Sequence, residues 1–117
     1  MLLDQFTAEQ NLALPFSLDL DNLSSDVRAR VGQLAEEVGV ARGELTRAVA
    51  ALAEPDRMRI RLGKALALGP RVVLAEHPNA MLPAEERPRF ASRFAAITAS
   101  RGVAALVLTA DRAFARA

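Results

Sequence analysis

The sequence predicts an α/β protein in which a helical part, residues 1–69, precedes a strand–helix–strand unit, residues 70–117. In the first half, apolar residues recur every three or four positions, as they do on one face of an amphipathic helix. In the second half, two short apolar runs bounded by Gly, Pro or polar residues flank one further helical segment. A crossover helix of this length favours a parallel arrangement of the two strands.

The first two helices are marked by signals at both ends. Thr7 and Gln10 have the spacing of a capping box for a short helix that ends before Pro15. Ser24 and its polar neighbours form an N-cap cluster for a second helix, which Gly39 ends. The inner face of that second helix is predicted to carry Val27, Val31, Leu34 and Val38.

Two further helical segments are predicted before the first strand. One covers residues 43–52, with Leu45, Val49 and Leu52 facing inward. The other begins at Pro55, a residue suited to the first turn of a helix, and continues to the break at Gly69.

In the second half, residues 71–76 and 103–109 each contain a short continuous apolar run, which predicts strands buried on both faces of a parallel sheet. The helix between them, residues 83–100, has Phe90, Phe94 and Ile97 on its inner face, and Pro88 indicates that its regular part begins near that residue. Residues 111–117 have the pattern of a further helix. Because two such strands leave an open edge and an apolar face, we expect the chain to self-associate or to rearrange its C-terminal segment.

Composition excludes several classes of protein. The sequence has no Cys, which rules out a disulfide framework and any thiolate metal site. The 15 basic and 14 acidic residues nearly cancel, whereas a nucleic-acid-binding protein usually carries a basic excess on one face. No apolar run approaches the roughly 18 residues of a membrane span. We therefore expect a soluble, cytoplasmic protein that neither inserts into a membrane nor binds nucleic acid.

The most specific pattern lies in residues 52–78, which read LAEPDRMRIRLGKALALGP and then RVVLAEHP. This stretch resembles, without a gap, the ATP-binding cassette family. In that family a signature loop, Leu-Ser-Gly-Gly-Gln, opens a helix that ends Ala-Arg-Ala-Leu and a Pro, and an apolar strand then closes on Asp-Glu-Pro. Residues 106–111, LVLTAD, are similar to the switch strand of the family, which ends Val-Thr-His-Asp. Residues 2–15 resemble the stretch after its glutamine loop.

The resemblance implies the C-terminal part of a transporter's ATP-binding subunit. Residues 1–69 correspond to the helical signature subdomain, and residues 70–117 to an incomplete ATPase core with the Walker-B-like and switch strands. The implied activity is to couple ATP binding and hydrolysis to transport. The implied cofactors are ATP and Mg²⁺. The implied partners are a transmembrane permease, which would hold the subunit at the inner face of the plasma membrane, and a second nucleotide-binding subunit.

The positions that contact nucleotide depart from the family pattern. No Gly-x-x-x-x-Gly-Lys-Ser/Thr occurs, so we expect the phosphate-binding loop to lie upstream of Met1, and Gly63-Lys64 falls within a predicted helix. The signature positions are Ala53, Glu54, Pro55 and Asp56, where the family uses a Ser hydroxyl and glycine amides to hold the partner subunit's γ-phosphate. Glu54 brings a negative charge there, and Pro55 removes an amide donor.

The catalytic positions are altered as well. Glu76 replaces the Asp that helps to hold Mg²⁺, a change that keeps an oxygen ligand. His77 replaces the glutamate that activates water, although an imidazole can also act as a base. Pro83 stands at the position of the D-loop Asp, and Ala110 at that of the switch His. The resemblance therefore predicts a degenerate site, weak hydrolysis in the intact protein and no useful ATP affinity in this chain alone.

The sequence also allows other interpretations. His77 is the sole histidine of the sequence and is compatible with a plain capping role. The protein could be a cassette-like subunit that is purely structural. Residues 34–49 also resemble a helix-turn-helix with Gly39 in the turn, which would indicate a DNA-binding regulator.

Overall fold

The computed structural model describes residues 2–116; Met1 and Ala117 lie outside the description. The chain divides into two compact units, Met1–Leu68 and Gly69–Ala117. The first is helical, and the second holds two parallel strands with their helices, which confirms the predicted α/β class. None of the helices in residues 2–116 has both the length and the apolarity needed to cross a bilayer.

The first unit has three α-helices, α1 (Ala8–Ala13), α2 (Ser25–Val38) and α3 (Glu54–Leu66). The predicted capping box is confirmed: the Thr7 hydroxyl accepts from the N–H of Gln10 at 3.1 Å, and the Gln10 side chain accepts from the N–H of Thr7 at 3.0 Å. The Ser24 hydroxyl caps α2, which ends at Gly39 with a φ of 87°. Thus each predicted cap of α1 and α2 lies where the sequence signals indicated.

The core of the first unit lies where the three helices meet, and its fully buried side chains include Leu12, Val31, Val38, Ile60 and Leu66. Gly63 and Lys64 lie within α3, as expected from the sequence. Asn11 is buried and uses its amide to bind the backbone of Leu3 and Thr7, at 2.8 to 3.0 Å. Asn11 therefore fastens the segment that precedes α1.

The prediction of a helix over residues 43–52 is wrong. The structure has two 3₁₀ turns there, Arg42–Glu44 and Val49–Ala51. Backbone groups at and before the second turn bond to the start of α1 and to the segment before it. Arg47 O accepts from the N–H of Ala8, and the N–H of Val49 donates to Phe6 O. A helix-turn-helix needs a second helix at this place, and the segment is instead partly extended.

The second unit contains β1 (Val72–Glu76), α4 (Arg87–Arg101), β2 (Ala104–Leu108) and α5 (Arg112–Arg116). The strands are parallel, with a register that runs from Val72↔Ala104 to Glu76↔Leu108. Helix α4 begins near Pro88, as its sequence indicated, and ends at Gly102 with a φ of 65°. The core of the second unit includes three packed rings, those of Phe90, Phe94 and Phe114, with centroids 5.3 to 6.4 Å apart.

The prediction that both strands are buried on both faces is wrong. One face of the sheet carries the buried side chain of Val73. The other face is open to solvent, and its side chains are 54% to 74% exposed: Val72, Leu74, Leu106 and Leu108. The reason is that the sheet has two strands among the described residues, and the helices of this unit leave the second face uncovered. The expected exposed apolar face is thereby confirmed; we call Val72, Leu74, Leu106 and Leu108 the open face.

Candidate functional site

The second unit has a pocket at the carboxyl ends of its two strands. Parallel strands end at the same edge of a sheet, so the segments that follow them lie side by side, the usual place for a ligand in α/β proteins. Two of the predicted site positions, His77 and Ala110, line this pocket of about 430 Å³. The other lining residues are Asn79, Ala80, Arg87, Thr109, Asp111 and Arg112.

The backbone of His77 is held on both sides. Its N–H donates to the carbonyl oxygen of Leu108 at 2.6 Å, which extends the pairing of the strands by one bond. Its own carbonyl oxygen accepts from the N–H of Ala80 at 3.1 Å. The φ of His77 is 45°, a left-handed conformation that is uncommon for residues other than glycine. The hydrogen bonds therefore hold a conformation that this residue type does not prefer.

Two residues that sequence reasoning did not select, Asn79 and Asp111, join the loops after the two strands. The Asn79 amide donates to Asp111 Oδ2 at 2.8 Å, and Asn79 is only 3% exposed. The other carboxylate oxygen of Asp111 accepts from the N–H groups of Ala113 and Phe114 and so caps α5. A polar residue shortly after each apolar strand was the available signal, because both strand ends meet at one edge.

The surroundings of Asp111 favour its ionised form. The hydrogen bond from Asn79 is the main reason why the pKa of the Asp111 carboxyl lies below its ordinary value, followed by the bond from the N–H of Phe114. The positive charge of Arg87 acts in the same direction to a smaller extent. The Nε of Arg87 donates to Leu82 O at 3.1 Å, which ties the loop after β1 to the first turn of α4.

The remaining predicted residues of this unit lie outside the pocket lining. Glu76, the predicted metal ligand, is exposed and borders a groove of the open face together with Leu74, Leu106 and Leu108. Pro83 is exposed, and its carbonyl oxygen accepts from the N–H of Glu86 in the turn before α4. The structure thus brings together His77 and Ala110, and it places Glu76 and Pro83 elsewhere on the surface of the unit.

The signature positions lie in the first unit, at the start of α3. Ala53 is the N-cap and makes no side-chain cap, while Glu54 and Asp56 put two carboxylates in the first turn. Arg57 forms ion pairs with Glu54 at 3.4 Å and with Asp4 at 3.5 Å. Asp56 pairs with Arg59 at 3.0 Å. The first turn of α3 is thus occupied by charged side chains that form ion pairs with one another and with Asp4.

These residues do not fit a phosphate group. The N-terminus of a helix attracts anions through its free N–H groups and its dipole. At α3, however, the carboxylates of Glu54 and Asp56 already lie there, and Pro55 supplies no N–H. Within residues 2–116 there is also no cluster of three His, Cys, Asp or Glu side chains that could hold a metal ion. Glu76 by itself does not provide the oxygen set that Mg²⁺ requires.

Comparison with known proteins identifies the family, although no family model matches the sequence. The chain is 31% identical, over 97% of its length, to the lipoprotein-releasing system ATP-binding protein LolD of Alcanivorax borkumensis. It is 33% identical, over 69% of its length, to the LolD of Acinetobacter baylyi. These matches cover 49% and 35% of the two relatives, so the chain spans about half the length, or less, of the relatives it matches.

Solved structures give the same answer for the fold. The dimeric ATP-binding cassette MJ0796, in a post-hydrolysis state with ADP and Pi, superposes with a TM-score of 0.80 at 21% identity. That match covers 98% of this chain and 50% of the cassette. The chain therefore belongs to the ATP-binding cassette family, and it corresponds to about half the length of one of the family's ATP-binding proteins.

Proposed function

We propose that this chain is part of the nucleotide-binding subunit of an ATP-binding cassette transporter, which couples ATP binding, and weak hydrolysis, to movement of a membrane permease. The observation that carries the proposal is the 31% identity, over 97% of the chain, to a protein named as an ATP-binding component. The parallel strand pair preceded by a helical unit supports it, because the same arrangement superposes on a solved cassette.

In this proposal the two units have different tasks. Residues 1–69 form the helical subdomain that docks against the permease, with the signature positions at the start of α3. Residues 70–117 contribute the Walker-B-like strand β1 and the switch strand β2. The pocket at the ends of these strands, lined by His77 and Ala110, corresponds to the reaction centre.

The site is degenerate in both units. Ala110 has no side chain that can hydrogen-bond, so it cannot perform the task of a switch histidine. His77 is the one general base among the proposed catalytic positions, and Glu76 is the proposed magnesium ligand. The carboxylates of Glu54 and Asp56 in the first turn of α3 support this proposal, because they carry the same sign of charge as a phosphate group. Hydrolysis in a complete subunit is therefore proposed to be slow.

The proposed partners are a permease and a second nucleotide-binding subunit, which would place the protein at the cytoplasmic face of the plasma membrane. MJ0796 is itself described as dimeric, which supports pairing of two such subunits. The matched relatives carry the name of a lipoprotein-releasing system. A permease of that system is therefore the first partner to test.

A second candidate is a cassette-like subunit with a purely structural role. The observation that favours it is the commitment of Arg57 to both Asp4 and Glu54 at the start of α3. The carboxylates at this helix start carry the same sign of charge as phosphate, and they stand where the family has phosphate-binding amides. This arrangement suits a subunit that docks without holding nucleotide.

A chimera separates the two candidates. The half of LolD from Alcanivorax borkumensis that matches this chain is replaced by this chain, so that the rest of LolD supplies the missing part of the cassette. The transporter proposal predicts a folded chimera that joins the LolD permease and slowly releases phosphate from Mg-ATP, with unmodified LolD as the control. A folded chimera that joins the permease but releases no phosphate would favour the structural role. A chimera that does neither would contradict both candidates.

A further inference from the structure

We propose that the hydrogen bond between Asn79 and Asp111 is a positioning contact, which holds the loop after β1 against the loop after β2 and thereby fixes His77 relative to Ala110. The two residues are 32 positions apart in the chain, and their side chains meet at 2.8 Å. The inference rests on the proposed function only for the roles of His77 and Ala110. The contact itself is a property of the strand-end loops.

On the β2 side, Asp111 is anchored to the core of the unit. Its N–H donates to the hydroxyl oxygen of Thr109 at 3.0 Å, and its Oδ1 caps α5. Helix α5 carries Phe114, whose buried ring packs against those of Phe90 and Phe94. Asp111 cannot shift far without disturbing this aromatic cluster.

On the β1 side, Asn79 is anchored as well. Its carbonyl oxygen accepts from the N–H of Leu82, a residue that is 3% exposed. The Leu82 carbonyl oxygen in turn accepts from Arg87 in the first turn of α4. Between Asn79 and β1 lie only Pro78 and His77. The hydrogen bond therefore joins two anchored residues, one in each loop. The backbone of His77 lies between the end of β1 and this hydrogen bond.

The chemistry of the pair is specific. An ionised carboxylate accepts hydrogen bonds but cannot donate them, so its partner must be a donor, and the buried amide of Asn79 is one. A hydrogen bond to a charged acceptor is also stronger than one between neutral groups. Exchanging the two residue types should preserve the contact, because Asn at 111 can cap α5 with its oxygen and donate with its nitrogen to Asp at 79.

The test uses three variants of the full chain: Asn79→Asp, Asp111→Asn and the double exchange. Native-state hydrogen exchange is read at the N–H of His77, which donates to Leu108 O at one end of the strand pair. The N–H of Ala104, which donates to Arg71 O at the other end, is the internal reference. A ratio of the two protection factors separates a change in the loop from a general loss of stability.

Asn79→Asp places two carboxylates in contact and should lower the His77-to-Ala104 protection ratio by about tenfold or more. Asp111→Asn should change the ratio little, because the Asn79 amide can turn its oxygen toward the new donor. The double exchange should return the ratio to the wild-type value. An unchanged ratio in Asn79→Asp, or no recovery in the double exchange, would overturn the proposal. If Asn79→Asp does not fold, a double exchange that also fails to fold overturns it.

Discussion

Leu12 and Gly63 lie so close that a Cβ atom on Gly63 would come within 2.8 Å of Leu12 Cδ2. Because Leu12 is fully buried in α1 and Gly63 lies inside α3, this glycine allows the two helices to approach each other. By contrast, a Cβ atom on Gly32, inside α2, would have no neighbour within 4 Å. The two helical glycines therefore have different reasons to be glycine.

Gly32→Ala and Gly63→Ala form a matched pair of stability variants. Alanine is favoured over glycine in a helix by roughly 0.5–1 kcal/mol, so Gly32→Ala should raise the free energy of unfolding by about that amount. At Gly63 the same gain is opposed by overpacking, which typically costs about 1–3 kcal/mol. Urea denaturation should place Gly63→Ala below Gly32→Ala. Equal stabilisation by both substitutions would show that Leu12 moves aside without cost.

Sequence reasoning predicted the elements whose signals are local. Thr7, Ser24, Gly39 and Gly102 act through neighbours a few residues away, and all of them lie at helix ends as expected. It failed at residues 43–52, because bonds to Phe6 and to Ala8, far away in the sequence, decide that backbone.

The candidate site was also predictable only where its signals are local in the sequence. His77 and Ala110 were located by motif order, and the pocket does contain both. The hydrogen bond between Asn79 and Asp111 joins residues 32 positions apart. A polar residue after each strand indicates that these loops share one edge of the sheet, but it does not indicate that these two side chains meet. Burial of the strands was overestimated, because an apolar run shows what a strand can bury and not which elements are present to cover it.

Asp111 should make the chain sensitive to acid. A carboxyl whose pKa is lower in the folded chain than in the unfolded chain adds stability above the ordinary Asp value of about 3.9. That stability is lost as the pH falls through the lower, folded value. Urea midpoints should therefore fall less in Asp111→Asn than in the wild type between pH 5 and pH 3. An identical fall in both proteins would mean that Asp111 does not titrate in this way.

The open face should drive self-association of the isolated chain. Leu74 and Leu106 are 74% and 67% exposed and belong to neighbouring strands, so together they present an apolar surface. We expect the weight-average mass to rise with concentration in light scattering, and the double substitution to Lys at these two positions to suppress the rise. Leu18→Lys is the control, because Leu18 is 95% exposed in the other unit. A wild-type chain that stays monomeric at high concentration would contradict this expectation.

The chain alone should not bind Mg-ATP with useful affinity. It lacks a phosphate-binding loop sequence, and the start of α3 carries the carboxylates of Glu54 and Asp56. Isothermal titration calorimetry should show no binding heat at micromolar concentrations, whereas unmodified LolD serves as the positive control. Saturable micromolar binding by the isolated chain would show that the site is less degenerate than proposed.

We propose that His77 occupies the position of the catalytic carboxylate in a cassette with a weakened site. The most direct test of this assignment is steady-state phosphate release by the LolD chimera, carrying His77→Glu, Ala110→His or both. General acid–base catalysis typically contributes about 10²–10⁴-fold, so His77→Glu should raise a slow rate by roughly 10²-fold, and Ala110→His should help most in combination. An unmodified chimera that already turns over as fast as LolD, with a rate that His77→Ala leaves unchanged, would contradict the assignment of His77 to the catalytic position.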